Sequence, residues 1–214
     1  MTPEQSPADS PENRTAVMMW DMAGTLIPYD PVTGRPLPLP GCDEYLPELG
    51  RYFRLVVTTG DGSASARGFL AGFEILPHME QVFGDLSNPV GKPYGEILRV
   101  LGGRPDRSLA IGDRLRADIP ADTDQVVTIL VNQEGDIINA GMVSFMTHIL
   151  RKQSECFPEA FRLRAATATP DPEPVGSAWG GEVTQAWRRN DGFDYRLLVY
   201  RHSALAGERL IIVI

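Results

Sequence analysis

The residues best suited to chemistry begin with Asp21, which ends an apolar run over residues 16–20 and precedes a turn containing Gly24 and Thr25. A strand that ends in a carboxylate and turns at glycine exposes that side chain at a sheet edge, beside free backbone N–H groups. This is a suitable place for a nucleophile. Ala23 stands two residues after Asp21, at a position where proton transfer would call for a second carboxylate.

Three further motifs with chemically useful side chains follow along the chain. Thr58 and Thr59 end the apolar run LVVTT, and Lys92 precedes a proline at the start of a predicted helix. Asp113 and Asp118 follow the apolar run SLAIG. Because the carboxyl ends of parallel strands converge on one crevice, these side chains are expected to meet there. Carboxylates, a hydroxyl, an ammonium group and backbone amides together suit a phosphoryl group and Mg²⁺.

The pattern between residues 15 and 166 predicts one α/β domain. Short apolar runs alternate with helix-like segments, which is typical of parallel strands joined by crossover helices. Either Asp61 or Ser63 is the predicted N-cap of the second helix. Strands are predicted at residues 16–21, 54–59, 82–83, 108–112 and 126–131, and helices at residues 42–50, 61–72, 93–102, 139–153 and 158–166.

The two ends of the chain differ from this domain in composition. Residues 1–14 are polar and rich in proline, which predicts a disordered tail, and residues 167–177 are predicted to be a linker. Residues 178–214 are predicted to form a small antiparallel β-meander with an Asn-Asp-Gly hairpin turn at 190–192. Its last strand is apolar enough to need a partner on both faces or a sheet edge to join, so a homo-oligomer formed through this extension is left open.

Charge and hydropathy exclude several classes of protein. The net charge of -8 argues against a nucleic-acid-binding protein that uses a broad basic surface. No apolar stretch approaches the roughly 18 residues of a membrane span, and the polar start of the sequence does not resemble a signal peptide. Cys42 and Cys156 form no CxxC pair and are interpreted as reduced thiols. A cytoplasmic protein with no membrane partner is expected.

Taken in order, the four motifs resemble those of the haloacid dehalogenase superfamily of hydrolases. The resemblance spans residues 16–133 and rests on DMAGTL at 21–26, Thr58, Lys92 and GDRLRAD at 112–118. It implies a Rossmann-like three-layer fold with a central parallel sheet, to which the C-terminal β extension is added. No long insertion separates the first three motifs, so the resemblance is to members without a cap domain, whose sites are open.

The resemblance also implies a role for each motif residue. Asp21 would be the nucleophile that forms an aspartyl-phosphate, assisted by Thr58 and Lys92 as catalytic residues. Asp118 would hold a metal-bound water or Lys92. The phosphate-binding residues would be Gly24, Thr25, Thr58, Thr59 and Lys92. The Mg²⁺ ligands would be Asp21, the backbone carbonyl of Ala23, Asp113 and Asp118.

Ala23 leaves three functions open. Phosphatases of this superfamily usually carry aspartate there, which protonates the leaving oxygen and then activates water. The first interpretation is an Mg²⁺-dependent phosphatase for a phosphorylated small molecule or macromolecule with a good leaving group, such as an acyl or aryl phosphate. The second is a catalytically weak phosphate-binding or interaction protein. The third is a phosphonatase- or dehalogenase-type hydrolase, although residues 28–57 lack a lysine and are too short for the helical cap of those enzymes.

Overall fold

The computed structural model describes residues 15–30, 32–37, 41–131, 157–166, 168–171, 181–190 and 194–214. The predicted disordered tail, the helix predicted at 139–153, most of the predicted linker and the turn at 191–192 lie outside these ranges. The helices of the described ranges are α1 (Cys42–Gly50), α2 (Ser63–Gly72), α3 (Tyr94–Leu101) and α4 (Phe157–Ala166). The strands are β1 (Val17–Trp20), β2 (Arg54–Thr58), β3 (Gln81–Phe83), β4 (Leu109–Gly112), β5 (Val127–Leu130), β6 (Thr169–Pro170), β7 (Gly181–Asn190), β8 (Asp194–His202) and β9 (Arg209–Val213).

A parallel sheet with the strand order β3-β2-β1-β4-β5 forms the first part of the molecule. Successive side chains of a strand point to opposite faces. On β1, Met18 and Trp20 therefore belong to one apolar cluster, and Val17 and Met19 belong to another. The first cluster includes residues of α1 and α2, and the second includes residues of α3. This confirms the predicted α/β class with a central parallel sheet.

The C-terminal strands are antiparallel to one another, as predicted, but they continue the central sheet. β9 pairs in parallel with β5, with Ile211 opposite Thr128, and β8, β7 and β6 follow as antiparallel neighbours. Joining the edge of β5 buries Ile211 and Ile212 completely, which explains the apolar end of the chain. β6 lies within the predicted linker and pairs with β7. Within the described ranges, the strands thus form one nine-stranded sheet.

The start of α2 differs from the prediction. Its N-cap is Gly62, with no capping hydrogen bond from a side chain, so neither Asp61 nor Ser63 is the cap. The Ser63 hydroxyl instead accepts a hydrogen bond from the backbone N–H of Gly84 at 3.1 Å. Ser63 therefore ties α2 to the end of β3.

Within the described ranges, every helix is too short or too polar to cross a lipid bilayer.

Candidate active site

The strand order places the predicted site residues at the topological switch point of the sheet. The neighbouring strands β1 and β4 lead in sequence to opposite sides of the sheet, and crevices at such points commonly bind ligands in α/β folds. Asp21 follows β1 and Asp113 follows β4. The backbone N–H of Asp21 donates to the carbonyl oxygen of Ile111 at 2.8 Å, which aligns the two strand ends.

A tight turn after β1 brings Gly24 against Asp113. The backbone N–H of Ile27 donates to the Met22 carbonyl at 2.8 Å, and that of Gly24 donates to the Ile27 carbonyl at 3.0 Å. Gly24 has a φ of 83°, in the left-handed region that favours glycine. A Cβ atom at this position would collide with the Asp113 carboxylate. Gly24 thus allows the turn to approach Asp113 closely.

Lys92 lies between two of the predicted acids. Its Nζ donates to Asp21 Oδ1 at 2.5 Å, to Asp118 Oδ1 at 2.7 Å and to the carbonyl oxygen of Thr58 at 2.9 Å. Its side chain is only 5% exposed. All three donors of an ammonium group are therefore used, and the ammonium sits at a fixed point beside Asp21.

Asp118 is buried and both of its carboxylate oxygens are engaged. Oδ1 accepts from Lys92, and Oδ2 accepts from the backbone N–H groups of Asp113 at 3.1 Å and Arg114 at 2.9 Å. Of the two roles that the resemblance implied for Asp118, the holding of Lys92 is the one that these contacts favour.

The two threonines at the end of β2 are placed differently. The Thr58 hydroxyl is buried and donates to the Trp20 carbonyl at 3.2 Å, so it is directed at β1. Thr59 lines the cavity in front of Asp21, and its hydroxyl donates to Asp61 Oδ2 at 3.3 Å. Of the two threonines predicted to bind phosphate, Thr59 therefore lines the cavity, whereas the hydroxyl of Thr58, the predicted catalytic residue, is bonded to the Trp20 carbonyl.

Gly24 and Thr25 lie in the turn after β1 and do not line the cavity. Thr25 is fully buried, and its hydroxyl has no hydrogen-bond partner within the described residues. Neither residue belongs to the lining of the cavity, which includes Ala23 from this turn.

The electrostatics of the cluster are dominated by burial and by an excess of negative charge. Burial raises the pKa of Asp21 to about 7, and the Asp118 and Asp113 carboxylates add to the rise while Lys92 opposes it. Burial also raises the pKa of Asp113, with a further contribution from Asp118. For Lys92, burial works against the charged form, but the surrounding Tyr94, Asp21 and Asp118 raise its pKa overall. The ammonium is therefore held in its charged form.

The acidic cluster fits a hard divalent cation. Asp21, Asp113 and Asp118 each offer one carboxylate oxygen, and these oxygens lie within 4.8 Å of one another. The buried ammonium of Lys92 bonds to Asp21 and Asp118, and Asp113 has the exposed guanidinium of Arg114 at 3.7 Å, so a further cation would relieve the repulsion among the three carboxylates. Carboxylate and carbonyl oxygens are the ligands that Mg²⁺ prefers. Asp21 and Asp113 are thus suited to hold the ion, since both oxygens of Asp118 already accept hydrogen bonds. The carbonyl of Ala23 stays a predicted ligand.

A cavity of about 470 Å³ opens in front of this cluster. Its wall includes several polar residues that the sequence motifs did not single out, namely Asp61, Ser87, Asn88 and Arg114. Each of them lies within five residues of a predicted site residue in the sequence. Their place in the cavity wall depends on how the loops fold, which the sequence motifs do not specify. Ala23 belongs to the cavity wall and has no carboxylate.

Known structures resemble this chain at low sequence identity. No protein-family model matches the chain, and no curated protein matches its sequence significantly. An uncharacterised protein from Listeria monocytogenes serotype 4b is similar in structure, with 16% identity, a TM-score of 0.48, and coverage of 59% of this chain and 83% of that chain. The core domain of a proposed phosphoglycolate phosphatase from Streptococcus pneumoniae TIGR4 has 18% identity, a TM-score of 0.37, and coverage of 54% and 78%. At this distance the likenesses assign neither a family nor a function.

Proposed function

We propose that this protein is an Mg²⁺-dependent hydrolase of the haloacid dehalogenase type that removes a phosphoryl group through Asp21. The observation that carries the proposal is the position of the Lys92 ammonium, 2.5 Å from Asp21 and 2.7 Å from Asp118, at the wall of an open cavity. A carboxylate beside a fixed cation, at a switch point and next to a cluster of acids, is suited to attack a phosphoryl group.

In the first step, an Asp21 oxygen attacks the phosphorus atom of the substrate. The bond from phosphorus to the leaving oxygen breaks, and that oxygen departs with the electron pair. Lys92 compensates the negative charge shared between Asp21 and the phosphoryl group. The Thr59 hydroxyl would donate to a phosphoryl oxygen by giving up its hydrogen bond to Asp61 Oδ2. Mg²⁺, held by Asp21, Asp113 and the Ala23 carbonyl, would neutralise phosphoryl charge and orient the group.

In the second step, water attacks the phosphorus atom of the aspartyl-phosphate. Inorganic phosphate leaves, the Asp21 carboxylate is restored, and the proton of the water passes to solvent. Ala23 offers no general acid for the first step and no general base for the second. Because such groups typically contribute about 10²–10⁴-fold, we infer that the substrate has a good leaving group, such as an acyl or aryl phosphate.

Binding of a phosphoryl analogue tests the proposal. Beryllofluoride with Mg²⁺ should raise the melting temperature of the protein, because a ligand that binds only the folded state stabilises it. Asp21→Asn should abolish this rise. Asp43→Asn is the matched control, since Asp43 is exposed on α1 and should leave the rise intact. A rise that survives Asp21→Asn would rule out Asp21 as the nucleophile.

The methyl group of Ala23 in the cavity wall favours one other candidate function, a phosphate-binding protein with little turnover. A panel of acyl, aryl and alkyl phosphates, with haloacids added, separates the two. Hydrolysis of acyl or aryl phosphates supports the hydrolase. Binding of Mg²⁺ and beryllofluoride without hydrolysis of any of these compounds supports the binding protein.

A further inference from the structure

A short segment after Asp118, residues 119–122, holds the backbone of Lys92. The N–H of Lys92 donates to the Ile119 carbonyl at 2.9 Å, and the N–H of Ala121 donates to the Lys92 carbonyl at 2.8 Å. Lys92 and Pro120 face each other in this short parallel bridge. The backbone position of the ammonium-bearing residue thus depends on where residues 119–122 lie.

The same segment fixes the start of α3. The carboxylate of Asp122 accepts hydrogen bonds from the backbone N–H groups of Gly95 and Glu96, each at 2.8 Å. These are N–H groups of the first helical turn, which have no partner inside the helix. Segment 119–122 therefore contacts both the backbone of Lys92 and the first turn of α3, which follows Lys92.

Arg209, at the start of β9, reaches this segment from the C-terminal strands. It is only 3% exposed. Its Nε donates to the Pro120 carbonyl at 2.6 Å, and its Nη1 donates to the Ala206 carbonyl at 2.8 Å. The guanidinium thereby connects the residue opposite Lys92 to the turn before β9.

Burial of the charged Arg209 side chain at the start of β9 is energetically unfavourable. The next three residues of β9, Leu210–Ile212, are apolar and buried, and burial of a guanidinium costs free energy unless its donors are satisfied. Burial accordingly lowers the pKa of Arg209, while the carboxylates of Asp124 and Asp122 favour its charged form. A buried arginine in this apolar strand indicates a requirement for its directed hydrogen bonds.

We propose that Arg209 is a positioning residue for Lys92, and that the C-terminal strands thereby complete the active site. This inference rests on the proposed function. The connection runs from the Arg209 guanidinium to the Pro120 carbonyl, through the bridge to the Lys92 backbone, and from the Lys92 ammonium to Asp21. The pairing of β9 with β5 then has two effects: it extends the sheet, and it places Arg209 where it can position Lys92.

Two variants of Arg209 and one matched control test the proposal with acetyl phosphate and Mg²⁺. Arg209→Met removes all the donors and should lower kcat about 10- to 100-fold with KM changed less than threefold, since misplacement by about 1 Å costs up to 10²-fold. Arg209→Lys keeps one donor group and should recover part of the loss. Arg201→Met should stay within twofold of the unmodified protein, because Arg201 is half-exposed on β8, where it pairs with the carboxylates of Glu182 at 3.7 Å and Glu208 at 2.7 Å.

A double-variant cycle separates positioning from general stability. If Arg209 acts through Lys92, then Lys92→Met combined with Arg209→Met should be no slower than Lys92→Met alone. Effects that multiply would overturn the proposal, as would a kcat for Arg209→Met equal to that of the unmodified protein. Failure of both Arg209 variants to fold would assign the residue a structural role only and would also overturn it.

A spectroscopic readout tests Arg209 even if no compound of the phosphate panel is hydrolysed. In that case the proposed hydrolase function fails, and the positioning of Lys92 is judged from the spectra alone. The chain has two lysines, Lys92 and Lys152, so selective labelling of lysine side chains gives two NMR signals that Lys152→Arg assigns. Arg209→Met should shift the Lys92 signal, and Arg201→Met should leave it unchanged. An unshifted Lys92 signal in folded Arg209→Met would contradict the positioning role.

Discussion

Replacement of Lys92 by methionine gives the sharpest test of the buried ion cluster. The change removes three hydrogen bonds, to Asp21, Asp118 and the Thr58 carbonyl, from a side chain that is 5% exposed. It leaves the buried Asp118 carboxylate without its ammonium partner. Breaking a buried ion pair on one side costs about 3–5 kcal/mol. At about 2–4 °C per kcal/mol for a chain of this size, the melting temperature should fall by about 6–20 °C.

The loss is measured by chemical denaturation with EDTA present, at pH 8 and at pH 5. The loss in the free energy of unfolding should be smaller at pH 5 than at pH 8. Burial raises the pKa of Asp21 to about 7, so at pH 5 Asp21 is protonated in the unmodified protein and is attracted less strongly to Lys92. Lys92→Met combined with Asp118→Asn should recover about 1–3 kcal/mol of the loss, since the two residues are coupled. Arg51→Met is the control, because its exposed pair with Glu48 should be worth less than about 1 kcal/mol. A loss below about 1 kcal/mol for Lys92→Met, or one independent of pH, would refute the buried cluster.

Three further predictions address the turn, the missing acid and the cation. Gly24→Ala should abolish the Mg²⁺-dependent rise in melting temperature, because its Cβ would collide with the Asp113 carboxylate. Gly34→Ala is the control: Gly34 has a φ of 66° and open space around it, so the substitution should cost about 1–2 kcal/mol of backbone strain and keep the rise. Ala23→Asp should raise turnover of an alkyl phosphate by up to about 10²-fold and that of acetyl phosphate much less, and equal gains would contradict the leaving-group argument. Mg²⁺ affinity, measured by calorimetry, should rise up to about tenfold per pH unit below pH 7 and level off above it, because the ion must displace a proton from Asp21; affinity independent of pH would exclude Asp21 as a ligand.

The sequence was sufficient to predict the strands that carry the site and the residues that meet there. Apolar runs followed by Asp21 and Asp113 predicted strand ends, and parallel strands bring such ends to one rim. The structure shows contacts of Lys92 with both Asp21 and Asp118. These contacts were expected from the resemblance, since Lys92 lies nine residues after the end of β3. Motif residues close to strand ends are predictable because their position depends on local patterning and one general rule of topology.

Other features could not be predicted because they depend on direction or on distant partners. Thr58 and Thr59 differ by one residue, and side chains one residue apart in a strand point to opposite faces. The resemblance implied the catalytic role for Thr58, whereas Thr59 is the threonine that lines the cavity. The apolar end of the chain indicated that the last strand needs a packing partner, but it did not indicate that β9 pairs with the edge of β5. The contact of Arg209 with Pro120 follows only from that choice.

Trapping of the phosphorylated enzyme tests the central claim most directly. The protein is mixed with Mg²⁺ and acetyl phosphate labelled in its phosphoryl group, quenched with acid, and mapped by peptide. Because Ala23 provides no general base for the second step, we expect the aspartyl-phosphate to accumulate, with the label on the peptide that contains Asp21 and absent after Asp21→Asn. Label on another residue, or no label on the Asp21 peptide while acetyl phosphate is hydrolysed or left intact, would contradict the account.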